Sequence, residues 1–180
     1  MQTRPSDPRP DLVEAFWTEA RLRSGLAGEE VYQGFSSSAA LRPPAWSFGD
    51  TRDMADELCE LVLDGRKTAT SSPRWAYEEA DGGTDGTDDA GEPLPTVGSV
   101  TILCDGSGAP RALLRTTRVR VVAFDEVAAD HARAEGEGNR SLEAWRREHQ
   151  AFLERIGDGE QPFSPTMEVV LEEFEVLARA

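Results

Sequence analysis

The chain has 180 residues, with 38% hydrophobic and 29% charged residues, enough for one domain with a core of its own and without disulfide staples. Its net charge of −15 repels polyanions, so extended binding of duplex nucleic acid is disfavoured. No long apolar run marks a membrane span, the proline-rich start lacks the apolar stretch of a signal peptide, and two cysteines exclude a disulfide framework and suit the cytoplasm.

Residues 1–10, with three prolines, read as a disordered tail. A first helix is expected over 11–23, with Asp11 as its cap, Leu12, Val13, Phe16, Trp17 and Ala20 on one face, and Gly25 as its stop. Residues 34–47, rich in Ser and Pro, read as a loop. Asp50 can cap a second helix with Met54, Leu58, Leu61 and Val62 at helical spacing, and Gly65 supplies its left-handed end. Small and β-branched residues from Arg66 to Ser72 then lead into a strand.

Residues 80–92 are acidic and glycine-rich and read as a flexible surface loop; the spacing of a calcium-binding EF-hand is absent. Strands follow at 99–104 and 111–124 across an Asp105-Gly106 turn, then a short helix at 126–134. Ser141 caps a helix whose stripe is Leu142, Trp145, His149, Phe152 and Ile156. A last strand is expected over 168–177. The order predicts an α+β domain, residues 11–180, around a small, mostly antiparallel sheet or barrel.

Of the 19 basic residues, one is a lysine, Lys67, and the rest are arginine. Arginine replaces lysine on a surface, but not where a proton must be lost, which makes Lys67 the first candidate for chemistry. Thr70 can converge with it if Lys67 lies in the turn and Thr70 in the strand; a lysine beside a threonine hydroxyl can activate an oxygen nucleophile or a water. Glu135 and Glu137 flank Gly136 in a glycine-rich loop. They are candidates for general acid–base work, or for a solvated turn that bonds the amides of the next helix. His149, on an apolar stripe, reads as a core or boundary histidine, and two histidines without ligand spacing argue against zinc. Trp46 and Trp75 could stack a base, with Trp75 the better placed. Arg74, Arg115, Arg118 and Arg120 form either a local phosphate patch or, on the strand, a solvated face.

Taken in order, Phe48-Gly49-Asp50, Ala55-Asp56-Glu57-Leu58, Gly65-Arg66-Lys67-Thr68-Ala69-Thr70, Val97-Gly98, Phe124-Asp125-Glu126-Val127, Ala134-Glu135-Gly136-Glu137-Gly138, Ser141-Leu142, Trp145 and His149 with Phe152 resemble the ASCH domain. The likeness is to its longer bacterial branch with the Glu-Gly-Glu-Gly motif. The resemblance implies a PUA-like β-barrel with helices packed around it and a cleft framed by the Lys67 segment and the Glu137 loop. It implies an association with RNA, and in one small branch the hydrolysis of the amide of N4-acetylcytidine by a Lys, a Thr three residues on, and a loop Glu. By motif these fall on Lys67, Thr70 and Glu137, the residues the chemistry nominates.

An amidohydrolase acting on an acylated nucleoside is therefore expected, with Lys67 as base, its pKa lowered by burial, Thr70 as nucleophile or water-orienting group, and Glu137 as proton donor. Thr68, Arg74, Trp75, Trp46 and Glu135 are the expected substrate contacts, and no metal or other cofactor is needed. The alternatives are an RNA-binding module without turnover and a metal-dependent ribonuclease using Glu135, Glu137 and Asp130. Asn139 and Ser99 stand where the family often has Asp, which weakens the ribonuclease reading.

Overall fold

The computed structural model describes residues 3–26, 42–77, 93–157 and 162–180. The expected acidic loop at 80–92 lies outside these residues. In chain order the elements are α1 (Pro10–Arg23), β1 (Ala45–Ser47), α2 (Arg52–Leu63), β2 (Ala69–Pro73), β3 (Val100–Cys104), β4 (Pro110–Ala123), α3 (Ala129–Glu135), α4 (Leu142–Ile156) and β5 (Glu168–Arg179). The strands form one curled half-barrel sheet in the order β1-β3-β4-β5-β2. Three pairings are antiparallel, and β1 runs parallel to β3.

The long β4–β5 pair is the spine of the sheet. Its register runs from Ala112 opposite Arg179 to Ala123 opposite Glu168 and shifts between Thr116 and Arg118. Such a bulge adds one residue to one strand and bends it. Alternation along β3 and β4 sends side chains to two cores. Ile102, Cys104 and Leu113 meet Val13, Phe16, Trp17 and Ala20 of α1. Leu103, Ala112 and Leu114 meet Cys59 and Val62 of α2, with Phe48 and Phe174. A third cluster joins α3 and α4 to the sheet through Phe124, Ala132, Trp145, Leu153, Val169 and Leu171.

Several expectations are corrected. Residues 3–9 do not form a loose tail: Ser6 and Arg9 donate backbone bonds to the carbonyls of Gly106 and Gly108, and the Thr3 carbonyl accepts from Arg52. The α1 cap is Arg9 rather than Asp11, because Pro10 takes the first helical position, where a missing N–H costs nothing. Thr51, not Asp50, caps α2, accepting from the Met54 amide at 3.3 Å. Asp50 instead pairs with Arg155. The expected Ser/Pro loop ends in strand β1; Pro44 has no N–H, but its carbonyl accepts from Ile102 at 2.8 Å. The helix expected at 126–134 begins only at Ala129, after a 3-10 turn at Phe124–Glu126.

Helix α2 also carries a second apolar face. The buried residues are Ala55, Cys59 and Val62, whereas Met54, Leu58 and Leu61 of the expected stripe border an open cleft. Among the described residues no helix is long and apolar enough to cross a membrane.

Candidate functional site

Gly65 ends α2 in the left-handed conformation, at φ 72°. The amides of Arg66 and Lys67 then fold back onto the Leu61 carbonyl, and the Thr68 amide donates to the Ala134 carbonyl at 2.8 Å. On the facing segment, Gly136 caps α3 at φ 75°, and a Cβ there would lie 2.3 Å from the Arg66 carbonyl oxygen. Only glycine permits this approach. The turn after α2 and the end of α3 therefore run backbone against backbone, which points Lys67 at Glu135 and Glu137.

The Lys67 side chain is 1% exposed. Its Nζ donates to Glu137 Oε1 at 2.6 Å and to Glu135 Oε2 at 3.3 Å, and lies 5.1 Å from the centre of the Phe48 ring. The resemblance set the Lys67 segment and the Glu137 loop around one cleft; the structure brings both Glu137 and Glu135 onto the Lys67 nitrogen.

Glu135 is the hub. Its Oε1 accepts from Ser71 Oγ at 2.5 Å and Trp145 Nε1 at 2.7 Å, and lies 3.2 Å from His131 Nε2. Its Oε2 faces Lys67 and, at 3.3 Å, His149 Nε2. Burial works against its charge, but Lys67 and the hydrogen bonds from His131 and His149 outweigh it and hold its pKa well below the ordinary carboxylate value. The same contact acts on His149. Burial disfavours its protonation, the Glu135 carboxylate outweighs burial, and the pKa is raised. The ring of His149 stacks on Trp145 at 4.2 Å.

Lys67, Glu135 and Glu137 lie at a cleft of about 1350 Å³, whose walls include Trp46, Phe48, Trp75, Phe152, Thr70 and His149. Of the two carboxylates on Lys67, Glu137 is the one open to the cleft, at 28% exposure. Thr70 lies on β2 and lines the same cleft, but among the described residues no hydrogen bond joins it to Lys67 or Glu137. Trp46, edge-on to Phe48 at 4.5 Å, and Trp75 both line the cleft.

Three expected substrate contacts are placed differently. Thr68 is exposed, with its amide and hydroxyl turned to the Ala134 carbonyl. Arg74 is not part of the cleft wall; its guanidinium donates to the Tyr77 carbonyl at 3.2 Å. Glu135 has its oxygens occupied by protein donors rather than open to a ligand. Arg115 pairs with Glu175, and Arg118 and Arg120 share Glu173, so the strand's arginines are engaged by carboxylates across the sheet.

Of the carboxylates named for a metal, Glu135 and Glu137 meet on the Lys67 nitrogen, and Asp130 does not join them. Asp130 is 94% exposed and paired with Arg133, and Glu135 is filled. Among the described residues no group of three or more His, Cys, Asp or Glu side chains is placed to hold a metal ion. This donor set does not fit the metal of the ribonuclease reading.

Sequence reasoning missed Ser71, His131 and Trp145 as the holders of Glu135, and Glu172 and Thr116 on the cleft wall. The i, i+4 spacing of His131 with Glu135 and of Trp145 with His149 is the signal that could have found the first group.

The ASCH domain family model matches residues 44–178. The chain belongs to the ASCH domain family. Among solved structures, this ASCH domain is similar to the protein EF3133 of Enterococcus faecalis V583, with 30% identity over 96% of each chain and a TM-score of 0.73. It is also similar to an ASCH domain from Lactobacillus crispatus JV V101, with 27% identity, 88% of this chain and 96% of that one covered, and a TM-score of 0.67. No curated protein matches the sequence. The ASCH domain is PUA-like, and the α+β half-barrel with surrounding helices is the architecture expected from the sequence.

Proposed function

We propose that this ASCH domain is an amidohydrolase that cleaves the acyl amide of a modified nucleoside of the N4-acetylcytidine kind. The observation that carries the reading is the 2.6 Å contact between buried Lys67 and cleft-facing Glu137. It joins a proton-bearing nitrogen to the carboxylate of the Lys67 site that is open to a ligand. Aromatic side chains on the cleft wall offer faces for a base, and the net charge of −15 suits a small neutral nucleoside better than a long polyanion.

In the proposed cycle, Glu135 remains the fixed counter-charge of Lys67. Thr70 aligns the attacking water. Lys67 passes a proton to Glu137, which delivers it to the leaving nitrogen as the carbon–nitrogen bond breaks. The new carbon–oxygen bond leaves a carboxylic acid and a free amine. Lys67, neutral after the transfer, is the base that recovers the proton shed by the attacking oxygen. No metal takes part in this cycle.

The test is incubation of the purified protein with N4-acetylcytidine and chromatography for cytidine, beside Glu137→Gln. Release by the wild type and its loss in the variant are expected. Absence of cytidine with the wild type overturns the reading. Labelled RNA that binds with steep salt dependence would then favour a binding module.

A further inference from the structure

The cycle above leaves a gap between Thr70, where the attacking oxygen sits, and Lys67, where its proton must end. Among the described residues no hydrogen bond spans it. The sheet supplies a group at that place. In the β2–β5 register, Thr70 lies directly opposite Glu172. Residues directly opposite in an antiparallel pair share a face, with Cβ atoms about 4.5–5.5 Å apart. Both line the cleft.

Glu172 is held ready rather than spent. Thr116 Oγ1 donates to its Oε1 at 2.5 Å, and among the described residues its Oε2 makes no hydrogen bond. Its chain neighbour Glu173 belongs to the other face, where Arg118 and Arg120 pair with it. Burial raises the Glu172 pKa, only partly offset by the Thr116 hydroxyl, in the sense that makes a carboxylate a better proton acceptor.

We infer that Glu172 is a further catalytic residue, the carboxylate that takes the proton from the oxygen activated at Thr70; this rests on the amidohydrolase reading. As the water aligned by Thr70 bonds to the acyl carbon, its proton passes to Glu172 Oε2, and the carboxylate becomes a carboxylic acid. Glu137 protonates the leaving nitrogen with the proton received from Lys67. After the carbon–nitrogen bond has broken, Glu172 returns its proton through the water of the cleft to neutral Lys67. The sum is the addition of one water across one amide, with all three groups restored. Thr116, whose hydroxyl donates to Glu172, is a positioning residue.

The test uses the full chain with N4-acetylcytidine. Glu172→Gln preserves shape and hydrogen bonding but cannot accept the proton. Its kcat is expected to fall about a hundredfold or more, the usual worth of a general base, with KM changed less than threefold. Glu172→Ala is expected to be as slow, and added formate, a diffusible carboxylate, to restore part of its kcat. A Glu172→Gln variant with kcat within threefold of wild type overturns this inference while leaving the amidohydrolase reading intact. A folded Glu172→Ala variant that formate cannot rescue also overturns it, by reducing Glu172 to a structural group. If Glu172→Ala does not fold, the Glu172→Gln result decides. Absence of turnover in the wild type fells both readings together.

Discussion

Replacing Glu135 by Gln tests whether one buried charge holds the site together. Glu135 is 1% exposed and faces Lys67, His149, His131, Ser71 and Trp145. The amide keeps the shape but removes the negative charge, and its NH₂ group presents hydrogens toward groups that are themselves donors. Losing one partner of a buried pair costs about 3–5 kcal/mol, because the other charge stays buried. In a domain of this size each kcal/mol corresponds to about 2–4 °C in Tm, so a fall of roughly 6–20 °C is expected. The pH dependence sharpens the test. The folded pKa of Glu135 lies well below the ordinary value, so its stabilisation is present above the unfolded carboxylate pKa and is lost as pH falls through the folded value. Thermal unfolding from pH 7 into acid should therefore show a steep limb in wild type that Glu135→Gln flattens. A loss below about 1 kcal/mol at pH 7, the range of an exposed pair, would refute the hub role.

Three further outcomes follow from the same geometry. His149 has a raised pKa, so its ion pair with Glu135 stabilises below the ordinary histidine value and is lost as pH rises through the folded one; an NMR titration should show a midpoint above 6.5 that drops in Glu135→Gln. Gly136→Ala must carry a left-handed alanine, about 1–2 kcal/mol unfavourable, and a Cβ 2.3 Å from the Arg66 carbonyl, so urea unfolding should register at least that loss. Burial pushes the Cys59 and Cys104 thiols up to about 12 and about 11, and neither should react with a thiol reagent at pH 8 until the protein unfolds; rapid labelling of the native state would contradict their burial.

How far the sequence could be read depended on whether a signal was local. Ser141 caps α4 by accepting from the Ala144 amide, and Gly65 ends α2, because both signals act within one turn of chain. Lys67 and Glu137 could be singled out for a different reason: a lone lysine among arginines and a glycine-flanked glutamate stand out by composition, and the structure sets them in contact. What stayed hidden depends on distant chain. Asp50 has the right chemistry for a cap, yet Arg155, 105 residues on, claims it. Glu135 and Glu137 look equivalent two residues apart; only the left-handed turn at Gly136 and the packing of α4 bury one and leave the other in the cleft. Met54 and Leu61 share the helical spacing of core residues yet border the cleft, since a wall for a ligand and a wall for a sheet need the same apolar spacing. Glu172 sits in a strand with three other acidic residues, and only the register with Thr70 singles it out.

The central claim is that Lys67 moves a proton, and Lys67→Arg tests it most directly. Arginine keeps the positive charge beside Glu135 and Glu137 but does not give up a proton in a protein. Cytidine release from N4-acetylcytidine should fall to background in Lys67→Arg, with nucleoside binding followed by tryptophan fluorescence as the check that the cleft is intact. Release at the wild-type rate by a folded Lys67→Arg variant would contradict the claim.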